Sequence, residues 1–365
     1  MTHSKSQLVA LAQHFGFDHV KFTTVVDPTP WSEHYSGWLR EGHHGAMAYL
    51  ERGQEVRAHP RTRMASARTA MVLGVDHHHH RPADPGPLHG LVARYAWGRD
   101  YHNVVGKRLK KLQRELRNQG VRTWGGVDTA PILERSWASA SGLGFNGKNS
   151  VQIWPARGSW MVLGVTFLDL EVEPDEPLRD HCGTCQRCLV GCPTDAFVTA
   201  RELNARRCIA YWTIEARTLA PRVLRRSFGR WVFGCDVCQE VCPHNVRPPD
   251  PDDDAFAPRH AWLDLIQLLH TDDDALMEQF IGTPLRRPGA AGLKRNALVA
   301  LANTGDPNAV SAAEHAMSHA APVVRQAAVW CLQELGCPPP PGYRDGDPDV
   351  QDELTCMPHA SDARS

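Results

Sequence analysis

The sequence predicts an α+β protein of several domains, because three parts of the chain carry different patterns. Residues 68–75 and 160–168 are short apolar runs typical of buried strands. Residues 107–118 form a basic amphipathic helix with Leu109, Leu112 and Leu116 on one face. Eight of the 11 cysteines fall between Cys182 and Cys242, which indicates a local metal-binding domain.

These patterns divide the chain into four predicted segments. Residues 1–175 form an N-terminal α/β or α+β domain, and residues 176–247 form the cysteine-rich domain. After a Pro/Asp-rich linker, residues 255–337 are helical, with two Ala/Leu-rich helices around Gly305-Asp306-Pro307 as in a HEAT-type repeat unit. Residues 338–365 are expected to be a disordered tail because they are rich in Pro and Asp.

Composition limits the possible partners and location. The 365 residues carry a formal net charge of −1, so affinity for a nucleic acid requires a local basic patch. No run approaches the apolar length of a membrane span, and the first residues lack a signal pattern. We therefore expect a cytoplasmic protein that does not bind membranes, with a monomer as the default.

The cysteine spacing predicts two 4Fe–4S clusters. Cys182, Cys185, Cys188 and Cys192 form the run C-x2-C-x2-C-x3-C followed by Pro193, as in bacterial ferredoxins. In two-cluster ferredoxins the fourth cysteine of this run binds the other cluster. We therefore expect Cys182, Cys185, Cys188 and Cys242 on one cluster and a second set on the other: Cys192, Cys208, Cys235 and Cys238.

A pair of structural zinc sites is the alternative, since C-x2-C pairs also bind zinc. Zinc ribbons need neither the third cysteine two residues further on nor the two Cys-Pro endings of this sequence. The cysteine-rich segment is therefore interpreted as a ferredoxin-like domain with two clusters.

Three segments together resemble the epoxyqueuosine reductase family. They are residues 95–102 (YAWGRDYH), residues 127–135 (VDTAPILER) continuing to residues 142–150 (GLGFNGKNS), and the cysteine array. The resemblance implies an N-terminal cobalamin-binding domain, a two-cluster ferredoxin-like domain and a C-terminal HEAT-like helical region. It also implies that epoxyqueuosine at the wobble position of tRNA is reduced to queuosine.

The resemblance further implies an electron path and a proton donor. Electrons would pass from an external low-potential donor through the two clusters to cobalamin, and Asp128 would be the proton donor. Opening an epoxide leaves an alkoxide, so a positioned acid is required. An apolar pocket formed by Ala130, Pro131 and Ile132 is expected to raise the pKa of Asp128. The alternative is that Asp128 only caps the following helix.

Cobalamin contacts are expected in two places by resemblance: Gly147, Lys148, Asn149, Ser150, Gln152, Gln239 and Glu240. Backbone and amide groups there suit the neutral amides of a corrin ring. His102 is not expected to bind cobalt, although residues 100–106 nearly match a cobalamin-binding D-x-H-x-x-G motif. Asp100 is instead interpreted as the N-cap of the basic helix.

An arginine-rich stretch is the predicted tRNA contact, and the resemblance implies tRNAs with a GUN anticodon. The predicted nucleic-acid residues are Arg206, Arg207, Tyr211, Arg217, Arg222 and Arg225. Arginines suit phosphates and a tyrosine suits an unpaired base. The lysines of the basic helix form a second strip, and in both cases a solvated charged face is the alternative.

The sequence leaves two other functions open. One is a reductive dehalogenase-like reductase with cobalamin and two clusters, and the other is an electron-transfer ferredoxin module that serves a partner enzyme. The long domain before the cysteines argues against the second.

Overall fold

The computed structural model describes residues 3–155, 157–248, 251 and 253–356. These residues form two compact units. The first unit comprises residues 1–80, 98–206 and 236–257, and the second comprises residues 81–97, 207–235 and 258–365. The predicted boundaries differ from this division, because residues 207–235 of the cysteine-rich segment group with the helical region.

The strands of the described residues are β1 His19–Thr24, β2 Thr69–Asp76, β3 His89–Val92, β4 Thr123–Gly126, β5 Phe145–Asn146, β6 Gln152–Ile153, β7 Met161–Leu168, β8 Phe197–Thr199, β9 Glu202–Leu203, β10 Trp231–Phe233 and β11 Trp262–Asp264. The helices are α1 Lys5–His14, α2 Ser32–Arg40, α3 Gln54–Ala58, α4 Tyr101–Asn118, α5 Glu134–Ala140, α6 Arg187–Val190, α7 Ile209–Ile214, α8 Arg222–Arg225, α9 Val237–Glu240, α10 Leu265–His270, α11 Asp273–Gln279, α12 Gly289–Thr304, α13 Ala309–Ala316, α14 Pro322–Glu334 and α15 Pro348–Thr355.

The first unit is built on a four-stranded sheet in the order β1-β2-β7-β4. Every neighbouring pair is antiparallel, so this domain is α+β and not a parallel α/β fold. The predicted strands at residues 68–75 and 160–168 are confirmed as β2 and β7. All residues of β2 are buried, which explains why its residues 70–75 form an apolar run that does not alternate.

The predicted basic helix is confirmed as α4, which packs against β7 and β4. Leu109, Leu112 and Leu116 lie at 2%, 0% and 0% exposure in the core of the first unit. Asp100 is its N-cap, as predicted, and its carboxylate accepts the backbone N–H of His102. The helix therefore begins with Tyr101 and His102 at a fixed place on the domain.

The second unit contains helices α10 to α15 and the three-stranded sheet β10-β3-β11. Helices α12 and α14 make the main helical contact, and Gly305 ends α12 in the left-handed conformation at φ 66°. The HEAT-like assignment of residues 255–337 stays a prediction. Within the residues that the structure covers, no helix is both long and apolar enough to cross a membrane.

The prediction of a disordered tail is wrong for residues 348–355, which form α15. Val350 and Glu353 of this helix are 0% and 4% exposed, and the Glu353 carboxylate pairs with the buried Arg225 guanidinium at 2.8 and 3.0 Å. A buried charge pair fixes the register of a helix because an unpaired charge is costly there. Residues 357–365 lie outside the described residues.

Candidate redox and acid site

Four of the predicted cluster ligands converge in the first unit. Burial, together with the charges of Cys182 and Cys242, raises the pKa of the Cys188 thiol. Burial, together with the charges of Cys182 and Cys185, raises the pKa of Cys242. The 11 cysteines are all free thiols. A 4Fe–4S cluster requires four such thiols, and the assignment of Cys182, Cys185, Cys188 and Cys242 to one cluster stays a prediction.

The second predicted set is divided between the two units. Cys192 and Cys238 belong to the first unit, and Cys208 and Cys235 belong to the second. The Sγ of Cys192 accepts the backbone N–H of Ala196 at 3.3 Å, a bond of the kind that tunes cluster potentials. The assignment of these four cysteines to one cluster stays a prediction.

The glycine-rich segment of residues 142–152 supports the cysteine loops. Lys148 Nζ donates to the carbonyls of Gly183 and Cys185 at 2.7 and 2.9 Å. Asn149 Nδ2 donates to the Cys238 carbonyl at 3.0 Å. These bonds hold two cysteine segments against one loop.

The side chains of three predicted cobalamin contacts form hydrogen bonds within the protein. Lys148 and Asn149 are occupied by the cysteine loops, and Gln152 is 5% exposed and bonds to Leu143 and Ser139 inside the domain. The side-chain donors of these three residues are engaged within the protein, and their contact with a corrin stays a prediction. Gln239 likewise accepts the Ser159 hydroxyl at 2.9 Å.

Other groups of this segment are left for a ligand. Among the described residues, Asn146 Oδ1 and Ser150 Oγ are buried without a hydrogen-bond partner. Ser150 adopts φ 60°, and Gly147 has no room for a Cβ because Ile153 Cδ1 would lie 2.4 Å away. Glu240, the last residue of α9, lies outside this segment and is exposed.

Asp128 lies at the start of the segment between β4 and α5. Its backbone is left-handed at φ 57°, a conformation that Asp tolerates better than most residues. Tyr101 Oη donates to Asp128 Oδ2 at 2.6 Å, and His102 Nε2 lies 3.0 Å from the same oxygen. The side chain does not cap α5, whose N-cap is Leu133 without a side-chain bond.

His102 connects two carboxylates. Its Nδ1 lies 2.8 Å from Asp100 Oδ1, while Nε2 faces Asp128. Burial opposes the protonated ring, but the bonds to Asp100 and Asp128 outweigh burial and raise the pKa of His102 to about 9. The imidazole is therefore a cation at neutral pH, and both of its nitrogens face a carboxylate.

Glu134 fixes the backbone of Asp128, in the segment between β4 and α5 (the Asp128 loop). Its Oε1 accepts the Asp128 backbone N–H at 2.9 Å. Protein atoms enclose this carboxyl although part of the residue reaches the surface. This burial, assisted by the Asp128 charge, raises the pKa of Glu134 to about 8. Glu134 therefore exchanges protons near neutral pH.

The predicted apolar pocket around Asp128 is wrong. The Asp128 side chain is 60% exposed and takes hydrogen bonds from Tyr101 and His102, which stabilise the carboxylate. Beside it, a cavity of about 690 Å³ is lined by Arg63, His102, Lys110, Trp124, Thr129 and Pro131, among others. Sequence inspection missed Tyr101, His102 and Glu134 because their roles depend on contacts across the fold.

The predicted nucleic-acid residues differ in exposure. Arg206, Arg207 and Arg217 are exposed, although Arg217 donates to the carbonyls of Pro288 and Arg287. Tyr211 and Arg225 are buried at 8% and 3% exposure, and Arg222 bonds to Glu353 and Gln333. The RNA-binding prediction is wrong for Tyr211 and Arg225, because neither side chain is accessible.

The fold and these sites define an oxidoreductase. It combines an α+β domain that carries the Asp128 carboxylate with a cysteine-rich segment suited to iron–sulfur clusters. A family model described as a 4Fe–4S double cluster binding domain matches residues 181–245, which include all eight clustered cysteines. A second one, described as epoxyqueuosine reductase QueG, DUF1730, matches residues 57–129.

Relatives and solved structures agree with these matches. An epoxyqueuosine reductase of Xanthomonas campestris is 35% identical over 92% of this chain and 97% of its own length. The chain belongs to the epoxyqueuosine reductase family.

An epoxyqueuosine reductase crystallised with an epoxyqueuosine-modified tRNA-Tyr stem loop is 28% identical, with TM-score 0.87 over 96% of both chains. A Bacillus subtilis epoxyqueuosine reductase, solved with its catalytic aspartate loop swung out of the active site, is 27% identical, with TM-score 0.83 over 96% of both chains.

Proposed function

We propose that this protein reduces epoxyqueuosine in tRNA to queuosine, with Asp128 as the proton donor. The observation that carries the proposal is the Asp128 carboxylate, which is accessible and bonded to Tyr101 and to a cationic His102. An epoxide opened by reduction leaves an alkoxide, and its oxygen departs as water only after two electrons and two protons have been supplied. The family relation supports the same substrate.

In this proposal Asp128 and His102 together hold the proton that is delivered to the substrate. A lone exposed carboxylic acid is ionised at neutral pH, so Asp128 needs a source of protons. His102 carries one on Nε2, 3.0 Å from Asp128 Oδ2, and Asp100 holds the opposite nitrogen in place. As Asp128 delivers a proton to the substrate oxygen, transfer from His102 restores it. Tyr101 keeps the carboxylate oriented through its hydroxyl.

Two 4Fe–4S clusters supply electrons in the proposal, each from four cysteines. Cys242 interacts electrostatically with Cys182 and Cys185, and Cys188 interacts with Cys182 and Cys242, which supports the first set. The second set, Cys192, Cys208, Cys235 and Cys238, rests on the spacing and on the match to a double-cluster domain. Two clusters suit a net two-electron reduction because each carries one electron at a time.

Cobalamin is the proposed electron acceptor that acts on the substrate. The unpartnered buried Asn146 Oδ1 and Ser150 Oγ fit a ligand with many neutral amides. Together with the backbone of Gly147 and the exposed Glu240, they are the groups that would hold it. When bound, cobalamin would supply a strongly reducing cobalt centre. Asp128, Tyr101 and His102 would supply and orient the proton.

The tRNA, with a GUN anticodon, would bind along basic side chains near Asp128. Lys107, Lys110 and Lys111 are exposed on α4, the helix that begins with Tyr101 and His102, and Lys110 lines the cavity beside Asp128. Arg206 and Arg207 are exposed further along the chain. Phosphate contacts of this kind weaken with salt. A cytoplasmic, monomeric protein remains the expectation.

Replacing both Lys107 and Lys111 with Glu tests the α4 strip. We expect the affinity for an anticodon stem loop to fall at least tenfold at low salt, with a smaller loss at high salt because phosphate contacts are screened. Arg225→Met is the matched control, since its cation is buried; it should destabilise the protein without weakening RNA binding. Equal binding by the double variant and the native protein would contradict the proposed strip.

The decisive experiment is anaerobic incubation of the reconstituted protein with cobalamin, a strong reductant and tRNA carrying epoxyqueuosine. Nucleoside mass spectrometry should show a product lighter by one oxygen, formed only when cobalamin is present. Failure by protein with full iron and bound cobalamin would overturn the proposed function.

A further inference from the structure

Several exposed apolar side chains lie at the end of the first unit that carries the first cysteine set. Val190, in α6 between Cys188 and Cys192, is 82% exposed. Val246, which follows Cys242, is 71% exposed, and Leu178, which precedes Cys182, is 37% exposed. Isolated exposed apolar residues are ordinary, but three beside the ligands of one redox site are not.

These residues belong to one surface because their segments pack together. Helix α6 contacts α9, which leads into Cys242. Gly191, next to Val190, lies against Val241, next to Cys242: a Cβ on Gly191 would be 3.4 Å from Val241 Cγ2. The residues that flank the first cysteine set therefore share one end of the unit. We call this surface, with Leu178, Arg179, Arg187, Val190, Val246 and Arg247, the cluster rim.

The cluster rim is positively charged. Arg179, Arg187 and Arg247 are exposed, and within the residues that the structure describes their side chains form no ion pair. Asp180, which follows Arg179 in the sequence, is bonded to Arg201 at 2.5 Å. Arg179, Arg187 and Arg247 therefore add positive charge to this rim, in a chain whose formal net charge is −1.

We propose that the cluster rim is the docking surface for an acidic electron-carrier protein. Cys182 and Cys185 are only half-buried, so a carrier bound here would bring its redox group close to the first cluster. Each encounter moves one electron: the carrier is oxidised by one electron and the cluster is reduced by one. Two encounters supply one catalytic cycle.

The charge and the apolar side chains have separate tasks. Arginines around a rim steer an acidic partner and raise the association rate, while apolar contacts at the centre slow its departure. A small interface is expected, since redox partners must separate after each electron. The proposal rests on the proposed function for the need for external electrons, but its test does not require the tRNA substrate.

The test is stopped-flow reduction of the clusters by a fully reduced acidic flavodoxin, followed by the flavin absorbance, without tRNA. Replacing Arg179 and Arg187 with Glu should slow the second-order rate at least tenfold at low salt, with convergence toward the native rate at high salt. Arg286→Glu is the matched charge control, because Arg286 is exposed in the second unit. Reduction by dithionite should be unchanged in all variants.

The apolar side chains of the cluster rim are tested with a separate pair of variants, one on the rim and one away from it. Val190→Asn should raise the flavodoxin concentration that half-saturates reduction, while Val223→Asn, at a valine that is 86% exposed in the second unit, should not. Unchanged flavodoxin rates in the arginine variant would overturn the proposal. Weaker binding of an anticodon stem loop, with unchanged flavodoxin rates, would assign the rim to RNA instead. Loss of epoxide reduction with intact flavodoxin kinetics would count against the proposed function alone.

Discussion

The first cysteine loop and the Asp128 loop belong to the same compact unit, yet their geometry arises in different ways. Cys182, Cys185 and Cys188 are close in sequence, so short turns alone bring their thiols together. Asp128 meets Tyr101 and His102 from 27 and 26 positions away, through the packing of α4 against β4. A local site tolerates changes elsewhere in the fold, whereas a site assembled over distance depends on its supporting contacts.

The largest expected effect concerns the local site. Cys188→Ala should remove one cluster and lower the iron content by about half, because three thiolates do not hold a cubane firmly. Iron analysis and the visible absorbance of the clusters provide the measurement. Cys337→Ser is the control, since Cys337 is exposed and lies outside the cysteine array. Full iron in Cys188→Ala would contradict the ligand assignment.

Asp128→Asn should abolish proton donation and leave the cysteine site intact. The amide cannot donate a carboxylic proton, so turnover should fall by about 10²–10⁴-fold while iron content stays unchanged. Single-turnover assays with epoxyqueuosine tRNA measure the effect, and tRNA affinity serves as the control. Activity near the native level would remove Asp128 from the proton-donor role.

Replacing Glu134 tests how the distant contacts support Asp128. Glu134→Ala removes the acceptor of the Asp128 N–H and should lower kcat about tenfold with little change in KM, because the loop loses its position. Glu134→Gln keeps an acceptor oxygen and should retain most of the activity. If the Ala and Gln variants behaved alike, the role of this hydrogen bond would be wrong.

The smallest effect concerns the charge of His102. Its pKa rises from 6.5 to about 9 in the folded protein, so its ion pairs contribute stability that is complete below pH 6.5 and is lost as the pH rises through about 9. His102→Gln should therefore lower the free energy of unfolding by about 1 kcal/mol at pH 6, a value reduced for the partial exposure of the ring, and by little at pH 10.

The pH dependence of the reaction rate should follow the protonation of His102. The native rate should decline only near pH 9, whereas His102→Gln should decline at lower pH because Asp128 has lost its proton source. Identical pH profiles for the two proteins would contradict the proposed His102–Asp128 pair.

The sequence by itself determined the elements whose cause is local. The strands β2 and β7, the helix α4 with its Asp100 cap, and the double-cluster cysteine segment follow from periodicity and short spacings. The family resemblance also followed from segments that can be read directly. Each of these depends on residues a few positions apart, where backbone geometry leaves little freedom.

Only the tertiary structure decided which polar side chains are accessible and which are already engaged. Arg225 looked like an RNA contact but pairs with Glu353, 128 residues away, and Lys148, a predicted cofactor contact, holds the cysteine loop. The carboxyl of Asp128 was expected in an apolar pocket and instead meets a cationic histidine. Such roles cannot be inferred from composition, because burial and partner choice depend on residues that only folding brings together.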